Sequence, residues 1–289
     1  MSGDGAATRE LLFAQASIEV LARDRSAPAM LREHLPRGTR VHVTFLANAG
    51  HRETVAQAAA LTLAGFEPIP HLAARSIVNE TMLNDFLSRA VGEAGVKRVL
   101  LIAGDLQQPL GPYASSLDIL AAGSLTKHGL QGVAFAGHPE GHPQAPRDVM
   151  EQALREKLAS AAAQGLAPEI VTQFAFEASP IVSYIARLRE LGVAAPVRIG
   201  AAAPTSTARL LGFAARCGVG ASVRALVRQG GRTAGLIAGP ERMFADLADA
   251  LAHRDLGPIS GAHFFVFGGA GKAAAWLRAE QEAAAPIES

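Results

Sequence analysis

The chain has 289 residues, of which 49% are hydrophobic and 18% charged, and its formal net charge is +1. This composition excludes a disordered chain, and the balanced charge gives no support for nucleic acid or an anionic membrane as a partner. The single cysteine, Cys217, excludes an intramolecular disulfide framework and a thiolate zinc site. No apolar stretch approaches the roughly 18 residues needed to span a bilayer, and the first ten residues lack the regions of a signal peptide. We therefore expect a cytoplasmic protein.

Short runs rich in Val, Ile and Phe alternate along the chain with Ala- and Leu-rich segments of helical periodicity. The predicted strands are 15–20, 41–46, 67–72, 98–103, 131–136, 169–175, 196–201 and 262–267. The predicted helices are 52–64, 79–94, 115–128, 147–164, 179–191, 205–217, 221–227 and 240–253. About the first twelve residues are expected to form a flexible arm, and residues 280–289 a frayed tail.

The spacing of the predicted strands favours one fold class. The first seven strands start about 25 to 40 residues apart, as in repeated βα units. Eight strands that alternate with helices over this length predict a closed (β/α)8 TIM barrel, formed as a single domain over residues 1–289. An open doubly wound sheet is the main alternative, but no GxGxxG motif opens a helix after the first strand.

Polar side chains recur at the carboxyl ends of six consecutive predicted strands, where the active site of a barrel lies. They are Glu19, Thr44, His71, Asp105, His138, Glu140, His142, Thr172 and Gln173. Each has an ordinary structural explanation: Glu19 as a salt-bridged strand residue, Asp105 as a turn residue and His71 as a hydrogen-bonded core residue. Because these residues recur at the same end of successive strands, we instead predict that they line one shared pocket.

Three further features have the composition of a site. The segment Gly137–Pro143 contains two histidines and a glutamate, but its two prolines and its lack of helical spacing argue against a metal site. The segment Gly268–Lys272 lacks the GxxxxGK[ST] spacing of a nucleotide-binding loop and predicts a glycine-rich turn. Cys217 is most simply a small buried residue at a helix end. No GxSxG nucleophile motif is present.

In their chain order, these residues resemble the methylenetetrahydrofolate reductase family. The motifs are Glu19 on strand one, Val-Thr44, Pro-His71-Leu, Gly104-Asp105, the GHPEGHP segment, Lys157, Val-Thr-Gln173-Phe and His263-Phe-Phe265. The segments PEGHP and TQF, in that order, are the most specific of these. The resemblance extends from about residue 15 to residue 267, which covers all eight predicted strands of the barrel.

The resemblance implies that a TIM barrel holds FAD, that NAD(P)H reduces the flavin, and that hydride then passes to 5,10-methylenetetrahydrofolate to give 5-methyltetrahydrofolate in one-carbon metabolism. It implies Glu19 as the general acid that protonates the departing folate nitrogen, with Asp105 as a second catalytic residue. Substrate binding is assigned in the same way to Gln173, Asp105 and Thr44, and no metal is implied. The implied cofactor-binding residues are Thr44, His71, Gly104, Asp105, Tyr113, His138, Glu140, His142 and Lys157.

The sequence departs from the family pattern mainly on the flavin side. Ala103 stands where the family usually has arginine, His138 where it often has tyrosine, and Val20–Arg23 where an aromatic and proline run is common. These departures leave three alternatives open: a catabolic paralogue that works in the oxidative direction, a cofactor-free barrel lyase or transferase that uses Glu19 and Asp105 directly, and a non-catalytic folate- or flavin-binding paralogue. The choice between NADH and NADPH stays open, and the Ala-rich helices are compatible with a homo-oligomer.

Overall fold

Eight parallel strands form a closed barrel in the computed structural model, in the order β1 to β8 along the chain. The structure describes residues 3–45, 50–143, 145–205, 240–267 and 269–284. The strands are β1 Ser17–Leu21, β2 Arg40–Thr44, β3 Glu67–Ala73, β4 Arg98–Ile102, β5 Gly132–Gly137, β6 Ala167–Thr172, β7 Val197–Ala202 and β8 Ile259–Phe265. The predicted (β/α)8 TIM barrel is confirmed.

Helices alternate with these strands along the chain. Those in the described part are α1 Gly3–Ala14, α2 Ala27–His34, α3 Gly50–Ala64, α4 Glu80–Gly92, α5 Ser116–Ala121, α6 Ser124–Lys127, α7 Arg147–Ala163, α8 Ala178–Glu190, α9 Glu241–Ala252 and α10 Ala270–Ala284. A 3-10 turn, Ala74–Ser76, follows β3. None of the described helices combines the length and the apolar character that a membrane span requires.

The strands read as continuous apolar runs because both of their faces are covered, as in other parallel sheets. All six residues of β7 are buried, as are the three central residues of β4. The parallel register pairs Val43 with Pro70 and His71 with Leu100. This pairing places side chains of equal phase on neighbouring strands next to one another.

The internal contacts of the chain divide it into two compact units. The first unit consists of Met1–Ile18, Gly137–Glu151 and Val171–Ser289, and the second of Glu19–Ala136 and Gln152–Ile170. Each unit contains residues predicted to form the site, so the two are described separately below. That the whole chain acts as a single domain stays a prediction.

The flexible arm predicted for about the first twelve residues stays a prediction, and the structure gives most of these residues a helical conformation. These residues belong largely to α1, which packs on β8, α9 and α10. Phe13 is fully buried, and its ring centroid lies 5.0 Å from that of Phe244 and 6.2 Å from that of Trp276. Burial of this aromatic side chain stabilises a segment whose short helix would be marginal in isolation.

The frayed tail predicted for residues 280–289 likewise stays a prediction, and α10 continues to Ala284 in the structure. Glu280 forms an ion pair with Arg9, and the Gln281 side chain donates a hydrogen bond to the carbonyl oxygen of Phe13 at 3.0 Å. These contacts fasten the end of α10 to α1. The residues after Ala284 lie outside the described part of the chain.

Further differences concern the helices. The segment 115–128 forms two helices rather than one, because Gly123 adopts a φ of +64° between α5 and α6. The helix α2 has no counterpart in the sequence-based assignment. The predicted helices 205–217 and 221–227, which include Cys217, lie outside the described residues, apart from the coil residue at 205.

Candidate functional site

Glu19 lies inside β1, as its third residue, and within the strand predicted over 15–20. Its side chain is buried, with a relative exposure of 8%. The strand continues past it because Ile18 and Val20, on the opposite face, are buried as well. A carboxyl group in such surroundings is costly unless its polar atoms are engaged, so this position is unlike that of a solvated surface glutamate.

Thr44 ends β2, as predicted. Its hydroxyl donates a hydrogen bond to the carbonyl oxygen of Val20 at 3.3 Å. This bond links the carboxyl end of β2 to β1 directly after Glu19. Thr44 is half-buried, so its hydroxyl oxygen keeps acceptor capacity for a ligand.

His71 lies within β3, two residues before the end at which it was predicted. The ring is buried and packs edge-to-face on the ring of His42, with centroids 5.7 Å apart. Burial lowers the pKa of His71 to about 4, so the ring is neutral at pH 7. Its Nε2 atom has no hydrogen-bond partner among the described residues. A buried polar atom of this kind is commonly satisfied by water or by a ligand.

Gly104 and Asp105 lie in the loop 103–115, which joins β4 to α5. Gly104 has a φ of +91°, and a Cβ atom added there would lie 3.1 Å from that of Ala73, so the position requires glycine. Asp105 is exposed and forms no hydrogen bond or ion pair with any described residue. Its carboxylate is therefore placed by the loop backbone alone.

Tyr113 lies near the end of the same loop and is buried. Burial, and next the negative charge of Glu80, raise the pKa of the Tyr113 hydroxyl above its usual value. The hydroxyl is thus protonated at neutral pH and serves as a hydrogen-bond donor as well as an acceptor.

Lys157 projects from α7 and is half-buried. Burial lowers the pKa of its amine. It forms no hydrogen bond or ion pair with a residue that the structure describes. Lysine is seldom buried without a partner, so this amine suits an anionic ligand.

In the first unit, His138, Glu140 and His142 follow β5, as predicted. The two histidine rings pack edge-to-face with centroids 5.0 Å apart, and burial lowers the pKa of His142. The buried Tyr184 hydroxyl, whose pKa burial raises, bonds to the backbone of His138. Across the described ranges, no group of three or more His, Cys, Asp or Glu side chains is arranged to hold a metal ion.

Gln173 follows β6 by one residue, whereas it was predicted to lie on the strand. Its backbone amide donates to the carbonyl oxygen of Gly137 at 2.7 Å, and its side-chain Oε1 accepts from the amide of Phe174 at 3.2 Å. The side chain is half-buried, so it is not the fully buried amide that the strand assignment implied. Its NH2 group donates to no described residue and is open to a ligand.

Next to Gln173 lies an aromatic group that we call the phenylalanine cluster: Phe174, Phe176, Phe265 and Phe267, packed with Ala202. The Phe174 ring centroid lies 5.3–5.7 Å from those of the other three. Phe176 and Phe265 are only partly buried, so they offer aromatic surface beside a free amide group. Planar heterocyclic ligands bind well to such surfaces.

Ser17 and His263 are fully buried and form a pair across β1 and β8. The Ser17 hydroxyl lies 2.9 Å from His263 Nδ1 and 3.3 Å from the carbonyl oxygen of Ala262. The tautomer of the His263 ring decides which of the two groups donates in this pair.

Three further polar residues of these strands and loops belong to none of the motifs above: Ser17, His42 and Arg75. Ser17 and His42 could have been found from strand phase, because they precede Glu19 and Thr44 by two residues on the same faces. Arg75, in the turn after β3, bonds to backbone carbonyl groups. Every residue has such a carbonyl, so no sequence signal marked Arg75.

Comparison with known proteins gives a family and a fold. The family model described as methylenetetrahydrofolate reductase matches residues 25–224. Among solved structures, the chain is similar to an uncharacterized protein from Clostridium thermocellum that binds two copies of 5-methyl-5,6,7,8-tetrahydrofolic acid, with a TM-score of 0.58, 11% identity, and coverage of 91% of this chain and 93% of that chain. A dihydropteroate synthase from Thermus thermophilus matches with a TM-score of 0.46, 14% identity, and coverage of 93% of this chain and 89% of that chain.

Proposed function

Because the chain belongs to the methylenetetrahydrofolate reductase family, we propose that it is a flavin-dependent oxidoreductase that interconverts 5,10-methylenetetrahydrofolate and 5-methyltetrahydrofolate, with NADH or NADPH as electron donor. The observation that carries the proposal is Glu19, a buried carboxyl group on a barrel strand of a family whose reaction needs a general acid. A carboxyl group that is held against a departing nitrogen can donate a proton to it.

Two features of the second unit fit FAD. The Nε2 atom of His71 is buried without a partner among the described residues, and the Lys157 amine is half-buried without a counter-ion among them. In our proposal His71 and Thr44 contact the isoalloxazine or ribityl part, and Lys157 the phosphates. When bound, the flavin supplies the hydride chemistry, while the protein supplies placement and charge.

The chain's own residues would act on the folate. Glu19 would protonate the departing nitrogen of the imidazolidine ring, and Asp105 would bond to the pterin and adjust the charge around it. In the first unit, the amide group of Gln173 would donate to the pterin edge, with the phenylalanine cluster as an aromatic surface beside it. The similar Clostridium thermocellum protein binds a reduced folate, which supports a folate as the ligand of this chain as well.

A folate-binding protein without redox activity is the second candidate. Ala103 and His138, where the family usually has arginine and often tyrosine, favour it because both changes fall on the flavin side. The folate-binding neighbour of the same fold is compatible with either candidate. The two candidates differ in one respect that can be measured, which is whether a bound flavin exchanges electrons with a nicotinamide donor.

The absorption spectrum of the purified protein, incubated with FAD if colourless, separates the candidates. We expect a flavin spectrum that is bleached under anaerobic conditions by NADH or NADPH and restored by 5,10-methylenetetrahydrofolate, but not by tetrahydrofolate, which lacks the one-carbon unit. A protein that cannot be loaded with FAD but binds 5-methyltetrahydrofolate in a calorimeter would refute the redox proposal and support the second candidate.

A further inference from the structure

Arg75 connects the turn after β3 to four points of the loop 103–115. Its backbone amide donates to the carbonyl oxygen of Ala103 at 2.9 Å, and its own carbonyl oxygen accepts from the amide of Leu110 at 2.9 Å. From the side chain, Nε donates to the carbonyl oxygen of Ala114 at 2.9 Å and Nη1 to that of Leu106 at 3.0 Å. The guanidinium group thus bridges two carbonyl groups at the two ends of the loop.

The rest of the loop has little other support. It contains no helix or strand between β4 and α5. Gly111 packs so closely on the turn that an added Cβ would lie 2.1 Å from the carbonyl oxygen of Val78. Near the far end, the amides of Ala114 and Ser115 bond to the carboxylate of Asp118 at 2.8 Å. Among the described residues, Arg75 supplies the long-range hydrogen bonds of the loop between residues 103 and 114.

The loop also carries Asp105, whose carboxylate has no hydrogen bond of its own among the described residues. The position of this carboxylate follows from the backbone on either side of it. Arg75 bonds to that backbone on both sides, at Ala103 and at Leu106. Movement of the loop by about 1 Å would be enough to misplace a reacting group and to slow catalysis roughly 100-fold.

We propose that Arg75 is a positioning residue that holds Asp105 in its place for the reaction, through the backbone of the loop 103–115. The proposal deepens the proposed function and rests on it, because it needs Asp105 to act on the folate. Arg75 acts without contacting the ligand. A charged guanidinium suits this task, because its planar donors bridge two fixed carbonyl groups and never lose their charge near neutral pH.

Hydrogen exchange of the whole protein tests the anchoring step and needs no activity. In R75A we expect the amides of Leu110 and Ala114 to exchange at least roughly tenfold faster, because the variant loses the two hydrogen bonds that the charged side chain donates to the loop. The control is R89A, which removes an arginine of α4 that pairs with its neighbour Glu93 on the same helix. Unchanged exchange at both loop amides in R75A would overturn the proposal.

A double-mutant cycle tests the link to Asp105. We expect R75A and D105N each to lower kcat/KM by roughly 100-fold, and the double variant to be no slower than D105N alone, because both changes remove one correctly placed carboxylate. R75K keeps the charge but offers a single ammonium in place of the fork, so its kcat/KM should lie between those of R75A and the wild type. Multiplicative effects in the cycle, or R75K equal to the wild type, would overturn the proposal.

The two experiments separate this inference from the proposed function. If the wild-type protein shows no folate turnover under any electron donor, the proposed function fails, and the link to Asp105 fails with it, whereas the exchange data still decide whether Arg75 anchors the loop. If the wild type turns over and R75A matches it in rate and exchange, only the inference about Arg75 fails. Thermal unfolding of R75A and R75K verifies that each variant is folded.

Discussion

At the scale of single residues, three ionisable side chains lie in three different environments: Glu19, Asp105 and Lys157. Glu19 is buried in a strand, Asp105 is exposed on a loop, and Lys157 is half-buried without a counter-ion among the described residues. Burial changes what each group can do, since it disfavours charge and strengthens every polar contact that forms. The proposed roles fit these environments: proton transfer for Glu19, bonding to the pterin for Asp105, and anion binding for Lys157.

Replacing Glu19 with glutamine should remove the proton donor and keep the shape of the side chain. We expect the rate of folate reduction to fall roughly 10²- to 10⁴-fold in E19Q, whereas flavin reduction by the nicotinamide donor continues. Stopped-flow absorbance follows the two half-reactions separately. E33Q, at an exposed position of α2, is the matched control and should retain wild-type rates. Equal loss in both half-reactions would contradict the role of Glu19 as acid toward the folate.

His71 should make the stability of the ligand-free protein dependent on pH. Because burial lowers its pKa from 6.5 to about 4, the unfolded chain binds more protons than the folded chain between these values. This contribution is complete above about pH 6.5 and is lost as the pH falls through about 4, a change of about 3 kcal/mol. Urea unfolding across this range should therefore show a steeper loss of stability in the wild type than in H71Q. Parallel profiles would contradict the pKa shift of His71.

The Lys157 amine should stabilise a bound anion, and it should lower the stability of the protein when no anion is bound. We expect K157M to bind FAD roughly tenfold or more weakly, because it loses a charged hydrogen-bond donor. The same variant should unfold at an equal or higher urea concentration, because it no longer buries an unpaired amine. K127M, on an exposed position of α6, is the control for the loss of one positive charge. Unchanged FAD affinity in K157M would remove Lys157 from the proposed cofactor site.

At the scale of elements, the eight strands could be predicted to within a few residues, whereas the helix α1 could not. The strands are recognisable because their residues are buried on both faces, which requires continuous Val, Ile and Leu runs. The helix α1 gives no such signal, because its order comes from long-range packing of Phe13 against α9 and α10. Likewise, strand phase indicated Glu19 and Thr44, while Arg75 could not be found because it binds only backbone groups.

The packing of α1 can be tested directly. We expect F13A to lower the free energy of unfolding by about 3 to 5 kcal/mol, the usual cost of truncating a buried phenylalanine. L11A, two residues earlier on the same helix, removes a side chain that is 52% exposed and should change stability by less than about 0.5 kcal/mol. Urea unfolding of both variants gives the comparison. Similar stabilities of the two would support the flexible arm that the sequence suggested.

At the scale of the whole molecule, the chain has a (β/α)8 barrel and belongs to the methylenetetrahydrofolate reductase family. The barrel fold alone does not determine chemistry, because it supports many unrelated reactions. The family and the retained Glu19, Asp105 and Gln173 favour folate chemistry, while Ala103 and His138 bear on how the flavin would be held. The central claim is therefore that electrons pass from a nicotinamide donor through a bound flavin to a folate.

The amount of 5-methyltetrahydrofolate formed when 5,10-methylenetetrahydrofolate reoxidises the prereduced holoprotein tests this claim most directly. The flavin is reduced anaerobically with one equivalent of NADH or NADPH, the folate is added in a single turnover, and product and flavin absorbance are measured together. One product molecule should form for each flavin reoxidised, as a two-electron hydride transfer requires. Flavin that stays reduced, or folate recovered unchanged, would refute the proposed transfer.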